Sequence, residues 1–183
     1  VFAHNERGVA VVRVVGIDPG LTRCGLAAVS GSPGRRASLL GVTVARTSPQ
    51  DDLATRLCAL EAAIEQFMTE HRPDEVAVEA VFRQHNTATV IATAQAAGVA
   101  VLVGGRRALP VGTHTPTEVK AAVTGSGRAD KQQVSRMVTA ILGLSAPPTP
   151  VDATDALALC LAHLWQAPVR ARRAQAEALA ARR

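Results

Sequence analysis

The sequence predicts an α/β fold: a five-stranded mixed sheet with helices on both faces. Three observations point there. Three apolar, β-branched runs come first, joined by connections too short to hold a helix. From residue 51 onward, stretches with apolar residues three and four apart alternate with short strand-like runs. Hydrophobic residues make up 48% of the 183 residues but aromatics only 2%, so a core large enough for one domain is built from Val, Leu, Ile and Ala.

The elements follow in order. Val9 to Ile17 reads as a buried strand ending at the turn Asp18-Pro19-Gly20. Cys24 to Ser30 and Ser38 to Arg46 complete an antiparallel meander, with Gly31-Ser32-Pro33-Gly34 between them. Asp51 to Glu70 places apolar residues at 53, 57, 60, 64, 67 and 68, the pattern of an amphipathic helix. Val76 to Val81 is a fourth strand, Thr87 to Val103 a second helix, and Leu109 to Val111 a fifth strand. Pro116 opens a helix capped by Thr115. Asp130 caps the next, with Gln133 placed to reach back to it. A last helix runs from Val151 to Trp165, and the Ala/Arg stretch beyond Pro168 reads as frayed or disordered. The expected organisation is an extension over 1–10, one domain over 11–167 and a basic tail over 168–183.

The net charge of +5 belongs mostly to that tail, which carries five arginines against Glu177 alone. A near-neutral body suits a nucleic-acid-binding protein that also gathers carboxylates, and does not require one. Cys24, Cys58 and Cys160 are far apart, form no metal-binding pair and read as buried small hydrophobes. Val1 to Ala10 lacks the layout of a signal peptide, and no membrane span is expected, so the expected location is the cytoplasm.

Four acids stand where apolar residues belong. Asp18 ends a buried run, where a turn aspartate before Pro-Gly would do as well. Glu79 interrupts Val76-Ala77-Val78, although glutamate is a poor strand former; an exposed position on an edge strand is its bland alternative. Asp152 and Asp155 share a helix face. Asp152 would suit the first turn, where negative charge complements the helix dipole. Asp155 opens an apolar run, and its like-charge pairing with Asp152 is unfavourable unless a cation lies between them. Oxygen-only ligands suit Mg²⁺ or Mn²⁺, and two such ions about 3.5–4 Å apart can drive phosphodiester hydrolysis without a covalent nucleophile.

Gly16-Ile17-Asp18-Pro19-Gly20, then Val78-Glu79-Ala80-Val81-Phe82 with Asn86, then Gly125 to Val134, then Asp152-Ala153-Thr154-Asp155-Ala156 resemble, in order, the motifs of the RuvC family of Holliday-junction resolvases. The resemblance spans roughly residues 11 to 166. It implies a ribonuclease H-like fold, a homodimer, two Mg²⁺ per site with Mn²⁺ substituting, and symmetric nicking of opposed strands of four-way junction DNA. It also implies partnership with the branch-migration proteins RuvA and RuvB, and a cytoplasmic, nucleoid-associated location in a bacterium.

Asp18, Glu79, Asp152 and Asp155 fall on the family's metal-binding acids, and Asp152 matches a position where some members carry histidine. Phe82 matches an aromatic that stacks on opened bases, with a core role as its alternative. Asn86, Lys120 and Lys131 match positions near the DNA; a solvated helix face is the alternative for the lysines. Ala80 stands where the family usually has glutamine, and Ala97 where it often has arginine. Two rival readings are a non-catalytic junction-binding protein and a fragment of an actin-like or sugar-kinase ATPase, whose phosphate loop the first motif also resembles.

Overall fold

The computed structural model describes residues 11–32, 34, 37–81, 87–149 and 152–180, with side chains described at all of these except 87, 152 and 168–180. Five strands form one sheet in the order β3-β2-β1-β4-β5. β1 (Val12–Asp18), β2 (Arg23–Gly31) and β3 (Ser38–Arg46) are the antiparallel meander, while β4 (Glu75–Glu79) and β5 (Val111–His114) run parallel to β1. The helices are α1 (Leu53–His71), α2 (Thr87–Arg106), α3 (Pro116–Thr124), α4 (Lys131–Leu142) and α5 (Asp152–Ala180).

β1 is central, which explains its unbroken Val/Ile run: successive side chains feed opposite cores. Val14 packs with Ala27, Val29 and Ala77 beneath α3, α4 and α5, whereas Val15 and Ile17 pack with Leu60, Ile64 and Met68 of α1 and Ala96, Ala100 and Val103 of α2. From Ala153 to Leu164, α5 is almost wholly buried, lying between the sheet and the α3–α4 pair. This all-round burial is why its sequence shows little amphipathic contrast.

Local chemistry sets the helix starts near the site. Thr115 and Glu118 form a reciprocal capping box on α3, and Asp130 and Gln133 form another on α4.

Several boundaries differ from the sequence expectation. β5 begins at Val111, where Leu109 to Val111 was expected, because pairing with β4 recruits Gly112 and His114 despite their weak strand preference. β4 stops at Glu79, so the glutamate sits at the strand end and not inside a longer run. Cys58 is exposed on α1, against the expected burial of all three cysteines. The backbone of α5 stays helical to Ala180, through Pro168, where a helix to Trp165 and a frayed or disordered stretch beyond Pro168 were expected. Ala and Arg are strong helix formers, and a proline removes one hydrogen bond without preventing the next turn. α2 is long and apolar enough to cross a membrane by length and composition alone: Ala88–Arg106 has a mean hydropathy of 1.7, with 22% of it buried in the chain.

Candidate active site

The parallel strands β1 and β4 lie side by side with Ile17 opposite Val78, so their final residues, Asp18 and Glu79, meet at one edge of the sheet. Adjacent parallel strands ending together is the simplest way for residues far apart in sequence to converge. A hydrogen bond joins the two carboxyl groups. β4 is interior, between β1 and β5, so Glu79 is not the exposed residue of an edge strand.

α5 brings the third acid. Gly16, two residues before Asp18, lies against α5 so closely that a Cβ there would stand 2.4 Å from the Ala156 carbonyl oxygen and 2.6 Å from Cys160 Sγ. The bare glycine therefore lets the first turns of α5 rest directly on β1. Asp155, the residue before Ala156, consequently faces Glu79. Its carboxylate pairs with Lys131 Nζ at 3.3 Å, from the first turn of α4.

The electrostatics follow from this crowding. Burial, the neighbouring charges of Asp18 and Asp155, and the hydrogen bond to Asp18 push the Glu79 carboxyl up to about 8, with only Lys131 opposing. Three carboxyl groups gathered together and partly buried are a poor arrangement for a protein left to itself. They are a good one for a hard divalent cation. Among the described residues, no three His, Cys, Asp or Glu side chains stand close enough to enclose an ion as they are. Lys131, paired with Asp155, offsets part of the negative charge. The donor set is all oxygen and clustered at one strand edge, and so fits Mg²⁺ or Mn²⁺.

The other expected site residues divide clearly. Lys131 stands with the acids. Lys120 is half-buried on α3, and among the described residues no ion pair joins it to them. The backbone of Asp152 begins α5, one turn before Asp155, and its side chain lies outside the described residues, as do Phe82 and Asn86.

With this geometry in place, comparison with known proteins identifies the family. The model of the family described as crossover junction endodeoxyribonuclease RuvC matches residues 14–163. The chain belongs to the RuvC family. A RuvC crossover junction endodeoxyribonuclease of Streptomyces coelicolor is 58% identical over 168 residues, covering 92% of this chain and 89% of that protein. Thermus thermophilus RuvC, solved in complex with a Holliday junction substrate, superposes with a TM-score of 0.81 at 35% identity, over 85% of this chain and 94% of that one. The yeast mitochondrial Holliday junction resolvase Ydc2 shares the fold at 12% identity, with a TM-score of 0.62 over 92% of this chain and 86% of that one. The ribonuclease H-like fold expected from the motifs is therefore the fold of this RuvC member, a nuclease of a family that implies a divalent metal cofactor.

Sequence reading missed two buried histidines on the same face of the sheet as the acids. His114 ends β5 opposite Glu79, and His163 lies on α5 facing the same side of the sheet. His163 stands in the apolar run of α5, the same kind of incongruity that singled out the acids.

Proposed function

We propose that this protein resolves four-way DNA junctions by nicking two opposed strands symmetrically, as a homodimer with one carboxylate site per subunit. The observation that carries the reading is the convergence of Asp18, Glu79 and Asp155, where burial, and then the charges of Asp18 and Asp155, push the Glu79 carboxyl up to about 8. Asp18, Glu79, Asp152 and Asp155 would hold two divalent ions, Mg²⁺ by preference with Mn²⁺ substituting. Bound there, the ions supply the Lewis acidity that activates a water and stabilises the leaving 3′ oxygen. The chain's own part is positional. Asp18 and Glu79 are fixed by the strand ends and Asp155 by the close seat of α5 on Gly16. Lys131 adds a positive charge that is 80% exposed and able to meet a phosphate. Phe82, Asn86 and Lys120 are assigned to the DNA, Phe82 as a stacking platform beyond β4.

Supporting a dimer is α2. Ile91, Ala94, Gly98, Val101, Leu102 and Gly105 form one exposed stripe at helical spacing, with Ile91 54% and Leu102 49% exposed. A Cβ added at Gly98 or Gly105 would meet nothing within 4 Å, so the stripe is open to a second backbone. A second copy covering this stripe accounts for an apolar, mostly uncovered helix without a membrane. Leu102→Asp is expected to convert a dimer into monomers by light scattering, and to replace paired nicks with single ones or none. A variant that stays dimeric would place the interface elsewhere. We assign the protein to the bacterial cytoplasm, at the nucleoid, working with RuvA and RuvB.

The decisive experiment compares a synthetic four-way junction, a flap, a linear duplex and an RNA–DNA hybrid, each with Mg²⁺ and with a chelator. Paired, Mg²⁺-dependent nicks confined to the junction are expected. Equal cutting of flap or hybrid would overturn the junction assignment, and binding without cleavage would favour a purely structural junction-binding role.

A further inference from the structure

A second polar cluster lies inside the domain, on the α5 face of the sheet. His163, 1% exposed on α5, places Nε2 2.7 Å from Glu75 Oε2 at the start of β4. Its Nδ1 lies 2.8 Å from Nε2 of His114, 3% exposed at the end of β5. The two rings meet edge to face, with centroids 5.0 Å apart. With Glu75 ionised and His163 neutral, His163 donates Nε2–H to the carboxylate and accepts at Nδ1, so His114 donates from Nε2 and the chain of donation runs one way. Two imidazoles are costly to bury, and such a network is kept only where its partners are fixed. Gly112 makes the room: a Cβ there would stand 2.6 Å from His163 Cε1.

The placement of this cluster matters. Glu75 and Glu79 lie on the same face of β4, four residues and about 13 Å apart. Asp155 and His163 lie eight residues and about 12 Å apart along α5. α5 lies over β1 and β2 and reaches β4 through its side chains, Asp155 toward Glu79 at one end and His163 onto Glu75 at the other. At the catalytic end like charges push helix and strand apart, and at the far end His163 ties them together. His114 closes the frame, because its carbonyl accepts from Ala80 N–H at 2.8 Å, fixing the residue after Glu79.

We propose that His163 is a positioning residue for the carboxylate site: by bridging Glu75 and His114 it locks α5 in register on the sheet, and so sets the separation of Asp155 from Glu79. This rests on the metal-site reading above. The role is separable from simple core packing because it acts on an affinity measured about 12 Å away.

Mn²⁺ binding to the DNA-free protein, read from the electron paramagnetic resonance of the free ion, tests it beside thermal melting. Glu75→Ala and His163→Phe are expected to weaken Mn²⁺ binding about tenfold, while Glu75→Gln, which keeps an acceptor, restores most of it. Ile64→Val trims the core on the opposite face and is expected to lower Tm with Mn²⁺ affinity unchanged. Glu75 is partly exposed, so its two variants decide the matter even if His163→Phe does not fold. A Glu75→Ala protein that binds Mn²⁺ like its parent overturns the positioning role alone. So does loss of affinity in Ile64→Val that tracks its loss of Tm as closely as in Glu75→Ala. A parent that binds no Mn²⁺ overturns the metal site and this inference together.

Discussion

Glu79→Gln is expected to reduce junction nicking by about 10³-fold or more while making the metal-free protein more stable. The two effects have one cause. In the metal-free protein the carboxyl is held at about 8 by burial and by Asp18 and Asp155, against 4.5 for the unfolded chain. Between those values the folded protein keeps a proton that the unfolded chain has released. Stability from this group is therefore fully present below pH 4.5, falls as pH rises, and is lost once pH passes about 8.

A neutral glutamine escapes that loss. Allowing for solvent around the half-buried side chain, the gain at pH 8 is on the order of 2–4 kcal/mol, or roughly 5–10 °C in Tm. At pH 4.5 parent and variant should melt together. Divalent cation reverses the order, because bound ions stabilise the parent and have fewer ligands in the variant. Melting curves in chelator at pH 4.5 and at about pH 8, then with Mg²⁺, alongside a nicking assay, check each part. A Glu79→Gln protein no more stable than its parent at the higher pH in chelator would show that the three carboxyl groups do not crowd as described. Asp18→Asn should share the loss of nicking and retain junction affinity within a few-fold, since phosphate contacts dominate that affinity.

What could be read in advance follows from which physical signals are local. The β1–β3 meander was legible because β-branched runs and turn residues are local signals, and the α4 cap because Asp130 and Gln133 answer each other within one turn. β5 was displaced toward its C-terminal end because its pairing with β4 is a tertiary choice that Gly112 and His114 do not advertise. The acids stood out as charges in apolar runs, but their meeting point depends on strand order: that Asp18 and Glu79 end neighbouring parallel strands is a property of the sheet. His163 carries the same kind of signal, but a lone histidine in a buried helix is indistinguishable from core until its partners Glu75 and His114 are in place. Gly16 was legible as part of a motif and not as a contact, since its reason for being glycine lies far along the chain, at Ala156.

That contact supplies the second large effect. Gly16→Ala is expected to destabilise the protein by about 3 kcal/mol or more and to abolish Mg²⁺-dependent nicking. An added Cβ would stand 2.4 Å from a backbone carbonyl and 2.6 Å from Cys160 Sγ, and neither is the end of a flexible side chain. Cys160 cannot turn away freely, because its thiol is buried against the carbonyls of Val14 and Ala27 at 3.6 and 3.4 Å. Relief must come from moving α5 off β1, and α5 carries Asp152 and Asp155. The strain therefore falls on the separation between the helix acids and the strand acids, as well as on the core. Adding Cys160→Ala removes one of the two clashes and should recover part of the stability but little of the nicking, because the Ala156 carbonyl remains in the way. Thermal melts and junction cleavage of the single and double variants separate the two consequences. Full nicking by a folded Gly16→Ala protein would mean that α5 can shift without disturbing the carboxylates, and that the close seat of helix on strand does not set the site.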